Sequence, residues 1–137
     1  MKTMTLAALA LGLTATIAAA QTDMTPMVEA EDQPVANGVV SAAAVTAAEN
    51  GWLVVHRTDA EMAPGPVVGY APIRMGTTND VAAILQEEIA PGDMLMLMVH
   101  SEAGGTQTGV FEYTLGATED GPIKVNEELV MSVITAQ

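Results

Sequence analysis

His56 and His100 are the only histidines in this 137-residue chain, and each closes an apolar run. His56 ends Gly51-Trp52-Leu53-Val54-Val55-His56, and His100 ends Met94-Leu95-Met96-Leu97-Met98-Val99-His100. Side chains alternate between faces along a strand, so Met94, Met96, Met98 and His100 share one face while Leu95, Leu97 and Val99 share the other. Trp52, Val54 and His56 line up in the same way. If the two strands lie near each other, imidazole nitrogen and thioether sulfur converge. That donor set suits Cu(I), and imidazole also suits Cu(II) or Zn(II). His56, His100 and Met98 are therefore the candidate metal ligands, with copper or zinc the candidate cofactor. The same residues have an ordinary structural reading in which no cofactor is bound. Methionine fills cores, and ten methionines in a chain with one Trp, two Tyr and one Phe are enough to build one. A histidine at a strand end commonly serves as a hydrogen-bonded corner. No metal-spacing motif is present, and a blue-copper centre is excluded because the chain has no cysteine thiolate.

Catalytic chemistry finds little support. Ser41, Ser101 and Ser132 lie in no nucleophile-elbow pattern. Ser101 follows His100 directly, so on a continuing strand their side chains point to opposite faces. The acid pairs Glu87-Glu88, Glu119-Asp120 and Glu127-Glu128 are sequence neighbours of the kind found on solvated surfaces, and no P-loop lysine follows Gly104-Gly105. The expectation is a protein that is not an enzyme.

The elements that position the two histidines are short. Val39 to Ala48 is small and apolar, and Asn50-Gly51 separates it from the His56 run, a dipeptide that signals a hairpin. Pro64-Gly65-Pro66 reads as a loop, with Val67 to Ala71 a short edge strand before Pro72. Residues 78–90 are ambiguous. Thr78-Asn79-Asp80 resembles a helix cap, and Val81, Ile84, Leu85 and Glu88 have helical spacing. Pro91-Gly92-Asp93 is a turn, and the Met94–Val99 run is apolar at every position, as in a strand buried on both faces. Residues 101–109 form a Gly-rich loop, Val110–Thr114 alternates as a short strand, Asp120-Gly121-Pro122 is a turn, and residues 130–135 are a last strand. Short strands separated by turn signals predict an all-β fold, a single antiparallel β-sandwich of about seven or eight strands.

The N-terminus carries its own signal. Lys2 is followed by an uncharged stretch to Ala20, with Leu6, Leu9, Leu11, Leu13 and Ile17 as its apolar centre and Ala18-Ala19-Ala20 as the small-residue end. This is the three-part pattern of a cleavable secretory signal peptide, residues 1–20, and it is short for a spanning helix. Residues 21–36 follow as an acidic linker containing Pro26 and Pro34, and residues 37–137 form the domain. The expected location is the periplasm or the medium, with no stable membrane insertion after cleavage. Without cysteine, packing alone holds the fold despite export. The formal net charge is −13, with only Arg57, Arg74 and Lys124 as cations beyond the leader. Nucleic acid is excluded as a partner, since phosphate binding needs clustered cations. The acids are scattered, as on a solvated surface.

One ordered set of motifs spans residues 37–135: Gly51–His56, Val68-Gly69-Tyr70, Pro91-Gly92-Asp93 with the strand ending in His100, Gly109-Val110-Phe111-Glu112-Tyr113, and Asp120-Gly121-Pro122. It resembles an uncharacterised domain of haloarchaeal surface and secreted proteins and of exported bacterial proteins. The resemblance implies a β-sandwich-like domain outside the cytoplasm. It also implies a strand at Val81–Gln86, against the local helix propensity. Family members carry several aspartates after the second histidine, whereas this loop has only Glu102, too few oxygen ligands for calcium. The leading expectation is an exported, non-enzymatic binding or interaction domain at the cell envelope. Its partner would be an envelope or surface protein or a second copy of itself, since a strand apolar on both faces needs cover on both. The alternative is a periplasmic metal-binding protein using His56, His100 and nearby methionine.

Overall fold

Val81, Ala83 and Leu85 are buried while Ala82 and Ile84 face solvent, and this period of two decides the ambiguous segment in favour of a strand. The structure, a computed structural model, describes residues 24–137, and the expected leader lies outside the described residues. In chain order the strands are β1 (Met27–Glu29), β2 (Val39–Ala47), β3 (Gly51–Thr58), β4 (Val67–Ile73), β5 (Gly76–Leu85), β6 (Met94–Ser101), β7 (Lys124–Val125), β8 (Glu128–Leu129) and β9 (Met131–Thr135). Among the described residues no helix is long and apolar enough to cross a membrane.

Seven strands form one antiparallel sheet in the order β1-β2-β5-β4-β3-β6-β9, and β7-β8 is a separate small hairpin. The seam between β5 and β4 is only two residue pairs wide, Gly69 with Leu85 and Tyr70 with Ile84. The sheet turns over at this seam, so β1-β2-β5 faces β4-β3-β6-β9. Its two ends meet again where Gln33 bridges Ala136 and where the Thr135 N–H donates to Asp32 Oδ1 at 2.8 Å. The main core fills the space between. Val40, Ala42, Val45, Val81, Ala83 and Leu85 come from one layer, and Leu53, Val55, Leu95, Leu97, Val99 and Ile134 from the other. The all-β antiparallel sandwich expected from the strand pattern is thus built from a single folded-over sheet.

Three local expectations change. The Asn50-Gly51 hairpin does not form: β2 pairs with β1 and β5, whereas β3 pairs with β4 and β6. Asn50 instead accepts the Met75 N–H at its Oδ1 (2.9 Å). Gly51 serves a close approach, since a Cβ there would collide with the carbonyl oxygen of His100. The acidic linker is part of the fold well before residue 37. Met27–Glu29 pairs with β2 and Val35 is buried, so apolar residues between the acids are enough to dock it. Val110–Thr114 is not a strand. It belongs to residues 102–123, which run without regular secondary structure except for the bridge from Pro122 to His100.

That irregular stretch explains why β6 can be apolar throughout. Leu95, Leu97 and Val99 face the main core, while Met96, Met98 and His100, equally buried, do not belong to it. Their face, shared with Trp52, Val54 and His56 of β3, lies under the 102–123 segment. Phe111 stacks on Tyr70 at a centroid distance of 4.3 Å, and Tyr113 packs edge-on to His100 at 4.5 Å. The expected two-sided burial of the strand is therefore met within one chain.

Candidate functional site

The β3–β6 ladder sets the site. Trp52 is paired with His100, Val54 with Met98 and His56 with Met96, so all six side chains rise from the same face. The histidines sit at opposite ends of this block, yet their rings converge above the Val54–Met98 pair. His56 Nε2 and His100 Nε2 are 3.3 Å apart, and both residues are fully buried. The two imidazoles singled out from sequence are thus brought together, and Met98 lies on the shared face between their positions.

Each ring is oriented from behind by a backbone carbonyl. His56 Nδ1 donates to Gly65 O at 2.8 Å, and His100 Nδ1 donates to Asp120 O at 2.7 Å. A carbonyl can only accept, so both Nδ1 atoms carry the proton. Burial lowers the pKa of both rings, and together with a smaller push from the neighbouring His56 it brings that of His100 to about 4. Both imidazoles are neutral at pH 7, and each Nε2 is a bare lone pair. Two lone pairs facing each other at 3.3 Å repel unless a cation lies between them.

The carbonyls that do this positioning are held by devices invisible as side-chain motifs. Gly65 lies between Pro64 and Pro66 and docks on the end of β3, where its N–H donates to Arg57 O at 2.8 Å. A Cβ at Gly65 would stand 2.6 Å from that same oxygen, so only glycine fits. Beside it, Arg57 pairs with Glu87 and with Asp93 (3.1 Å) and donates to Glu88 O, tying the end of β3 to the β5–β6 connection. On the other side, Asp120 is buried in the left-handed region with φ 45°, a conformation that aspartate tolerates better than most residues. Its Oδ1 accepts the Ala103 N–H (3.1 Å) and its Oδ2 the Glu112 N–H (2.8 Å), so one carboxylate fastens both the start and the middle of the covering segment. Glu112 in turn accepts the N–H groups of Thr106 and Gln107, which holds the Gly-rich loop. Gly65 and Asp120 were legible in sequence only as a loop and a turn, and the proline bracket around Gly65 was the one signal of a rigid carbonyl.

Two oriented lone pairs can bind a proton or a single soft metal ion. With metal–imidazole bonds of about 2 Å, nitrogens 3.3 Å apart give an N–metal–N angle of about 110°. That angle leaves room for a third ligand. Among the described residues no group of three or more His, Cys, Asp or Glu side chains could hold a metal, so the third donor must be of another kind, and the thioether of Met98 is on the right face.

No curated protein and no solved structure matches the chain. A family model described as Domain of unknown function (DUF7282) matches residues 26–137, essentially the whole described structure, including residues 26–36 of the acidic segment. The match agrees with the resemblance drawn from the ordered motifs as far as an uncharacterised domain goes, and the chain belongs to that family.

Proposed function

We propose that this domain is an exported, non-enzymatic binding protein for one Cu(I) ion, held by His56 Nε2 and His100 Nε2 with the Met98 thioether as third ligand. The observation that carries the reading is the facing pair of neutral, unprotonated Nε2 atoms, each aimed by a carbonyl on the opposite side of its ring. Orientation of this kind is what outer-shell partners supply in metal sites. Cu(I) fits better than zinc. Zinc structural sites use four N, O or S ligands, usually with thiolate or carboxylate among them, while imidazole and thioether with low coordination number suit Cu(I). The leader pattern supports export, and periplasm or medium is the proposed location.

The reading without metal, an interaction domain that self-associates, drew on a strand apolar on both faces. Met96 and Met98 are completely buried beneath the chain's own 102–123 segment, so that observation no longer calls for a second copy.

The test is an anaerobic Cu(I) titration of the mature protein against a chromophoric competitor, with X-ray absorption on the loaded sample. The expected result is one ion per chain with two nitrogen ligands and one sulfur. His56→Ala and His100→Ala should each lose more than the roughly 10–100-fold typical of outer-shell changes. Equal competition by the wild type and a His56→Ala, His100→Ala double variant would overturn the proposal.

A further inference from the structure

The chain has four aromatic residues, Trp52, Tyr70, Phe111 and Tyr113, and all four gather around the two histidines. The main core between the layers contains none of them. Phe111 contacts Tyr70 at 4.3 Å and Trp52 at 5.4 Å between ring centroids, and it reaches His100 at 6.4 Å. Tyr113 covers both imidazoles. Its buried ring stands nearly perpendicular to that of His100 at 4.5 Å and to that of His56 at 5.8 Å. The Tyr113 hydroxyl accepts the Gly116 N–H at 3.3 Å, which ties the tip of the ring to its own loop. In a chain this poor in aromatics, the whole supply is spent on walling one pair of side chains.

The chamber under this wall also lacks a countercharge. Its donors, two imidazoles and a thioether, are neutral, and His56, His100 and Met98 are completely buried. Asp120 is the one buried acid among the described residues, and both its oxygens are taken by the Ala103 and Glu112 N–H groups. The cost of taking an ion out of water grows with the square of its charge, so a divalent ion pays about four times what a monovalent one does. Cu(II) also favours a tetragonal set of nitrogen and oxygen ligands, whereas this chamber offers two nitrogens and a sulfur. An apolar shell of this kind sets the redox balance of the metal it encloses. We infer that the chamber holds copper in the monovalent state: it rejects Cu(II), and Tyr113 closes it against the water and anions that Cu(II) would need as further ligands. The step suppressed is the passage of one electron from Cu(I) to dioxygen, which would leave Cu(II) and release superoxide. Resting on the Cu(I) reading above, this adds a function to it, the carriage of copper through oxidising surroundings without redox cycling. Tyr113 acts by exclusion and is not a ligand.

The experiment measures both oxidation states on the mature protein. Anaerobic competition gives the Cu(I) affinity, and electron paramagnetic resonance with a Cu(II) competitor gives the Cu(II) affinity, with the His56→Ala, His100→Ala double variant subtracted as the background of surface sites. Cu(I) should bind at least about a hundredfold more tightly than Cu(II), each tenfold raising the one-electron potential by about 59 mV. Moved into air-saturated buffer, the Cu(I)-loaded wild type should stay silent in paramagnetic resonance. Tyr113→Ala should develop the Cu(II) signal at least about tenfold faster per bound copper, and Tyr113→Phe, which keeps the ring, should behave as wild type. A preference for Cu(I) below about a hundredfold would overturn the inference and leave the Cu(I) reading standing, as would equal oxidation rates in wild type and Tyr113→Ala. Failure to load Cu(I) at all would overturn both. The affinity ratio is read on the wild type, so it decides even where the alanine variant does not fold.

Discussion

His56 and His100 face each other through unprotonated Nε2 atoms 3.3 Å apart, while their Nδ1 protons are both committed to backbone carbonyls. The arrangement fixes the tautomer of each ring. In metal-free protein at pH 7.5, long-range proton–nitrogen correlation spectra should show both imidazoles in the Nδ1–H form, with two Nε2 resonances typical of bare nitrogen. One equivalent of Cu(I), or of redox-stable Ag(I), should shift both Nε2 signals and leave the Nδ1 protons in place. An Nε2–H tautomer for either ring would mean the pair is an ordinary hydrogen bond, and the proposed ion would have no place.

The lowered pKa values set a direction for stability against pH. An unfolded chain protonates its histidines near 6.5, while the folded chain resists, His100 until about 4. Above 6.5 neither state binds these protons and the stability is complete. As pH falls from 6.5 towards 4, the unfolded state takes up protons that the native state refuses, and stability is lost by about 1.4 kcal/mol per pH unit for each proton. Urea denaturation of metal-free protein between pH 7.5 and 5 should therefore show a steeper decline for wild type than for a His56→Gln, His100→Gln double variant. The carboxylates common to both cancel in the difference. Parallel curves would mean the imidazoles titrate alike in the folded and unfolded states.

Gly65→Ala tests the carbonyl behind His56. The new Cβ would stand 2.6 Å from Arg57 O, a backbone atom that cannot swing away, so the Pro64–Pro66 segment must lift from the end of β3. Strain of this kind costs about 1–3 kcal/mol. The carbonyl that accepts from His56 Nδ1 moves with the segment, so the His56 tautomer should become mixed and Cu(I) affinity should fall by about tenfold or more. Denaturation midpoint and affinity are measured on the same sample. A loss of stability with an unchanged His56 spectrum would show that the carbonyl is not what orients the ring.

The site was half legible in the sequence, and the division has a physical basis. Alternation along β3 and β6 is local, and it placed His56 and His100 on faces that turned out to be shared, with Met98 between them. Two-sided burial of the Met94–Val99 run was equally plain. Which strand lies beside which is a matter of long-range pairing, and the Asn50-Gly51 signal pointed to β2 where the sheet uses β4 and β6. Helical spacing in Val81–Leu85 was overridden because pairing with β2 over eight residue pairs outweighs local propensity. What holds the rings was not legible, because Gly65 and Asp120 act through their carbonyl oxygens, which every residue possesses. The covering segment was read only as loops and a short strand. Its order comes from carboxylates accepting backbone N–H groups at Glu112 and Asp120, and such pairings leave no periodic trace.

Asp120 carries two functions that a pair of substitutions separates. Its carboxylate fastens Ala103 and Glu112, and its carbonyl orients His100. Asp120→Ala removes the carboxylate, leaves two backbone N–H groups without partners, and places alanine at φ 45°, so a loss of about 2 kcal/mol or more is expected. Asp120→Asn keeps one acceptor oxygen and a residue that tolerates the left-handed region, so it should fall between alanine and wild type. The informative readout is local. Hydrogen exchange at Ala103, Thr106, Gln107 and Glu112 should accelerate in the order wild type, Asn, Ala, while Leu97 and Val99 in the sheet change far less. Because both histidines are fully buried, an ion reaches them only when the covering segment opens. Cu(I) loading and release should therefore quicken in that same order, by about the factor seen in the exchange of the covering amides. Faster exchange without faster loading would place the route to the histidines elsewhere, at the Gly65 end of the block.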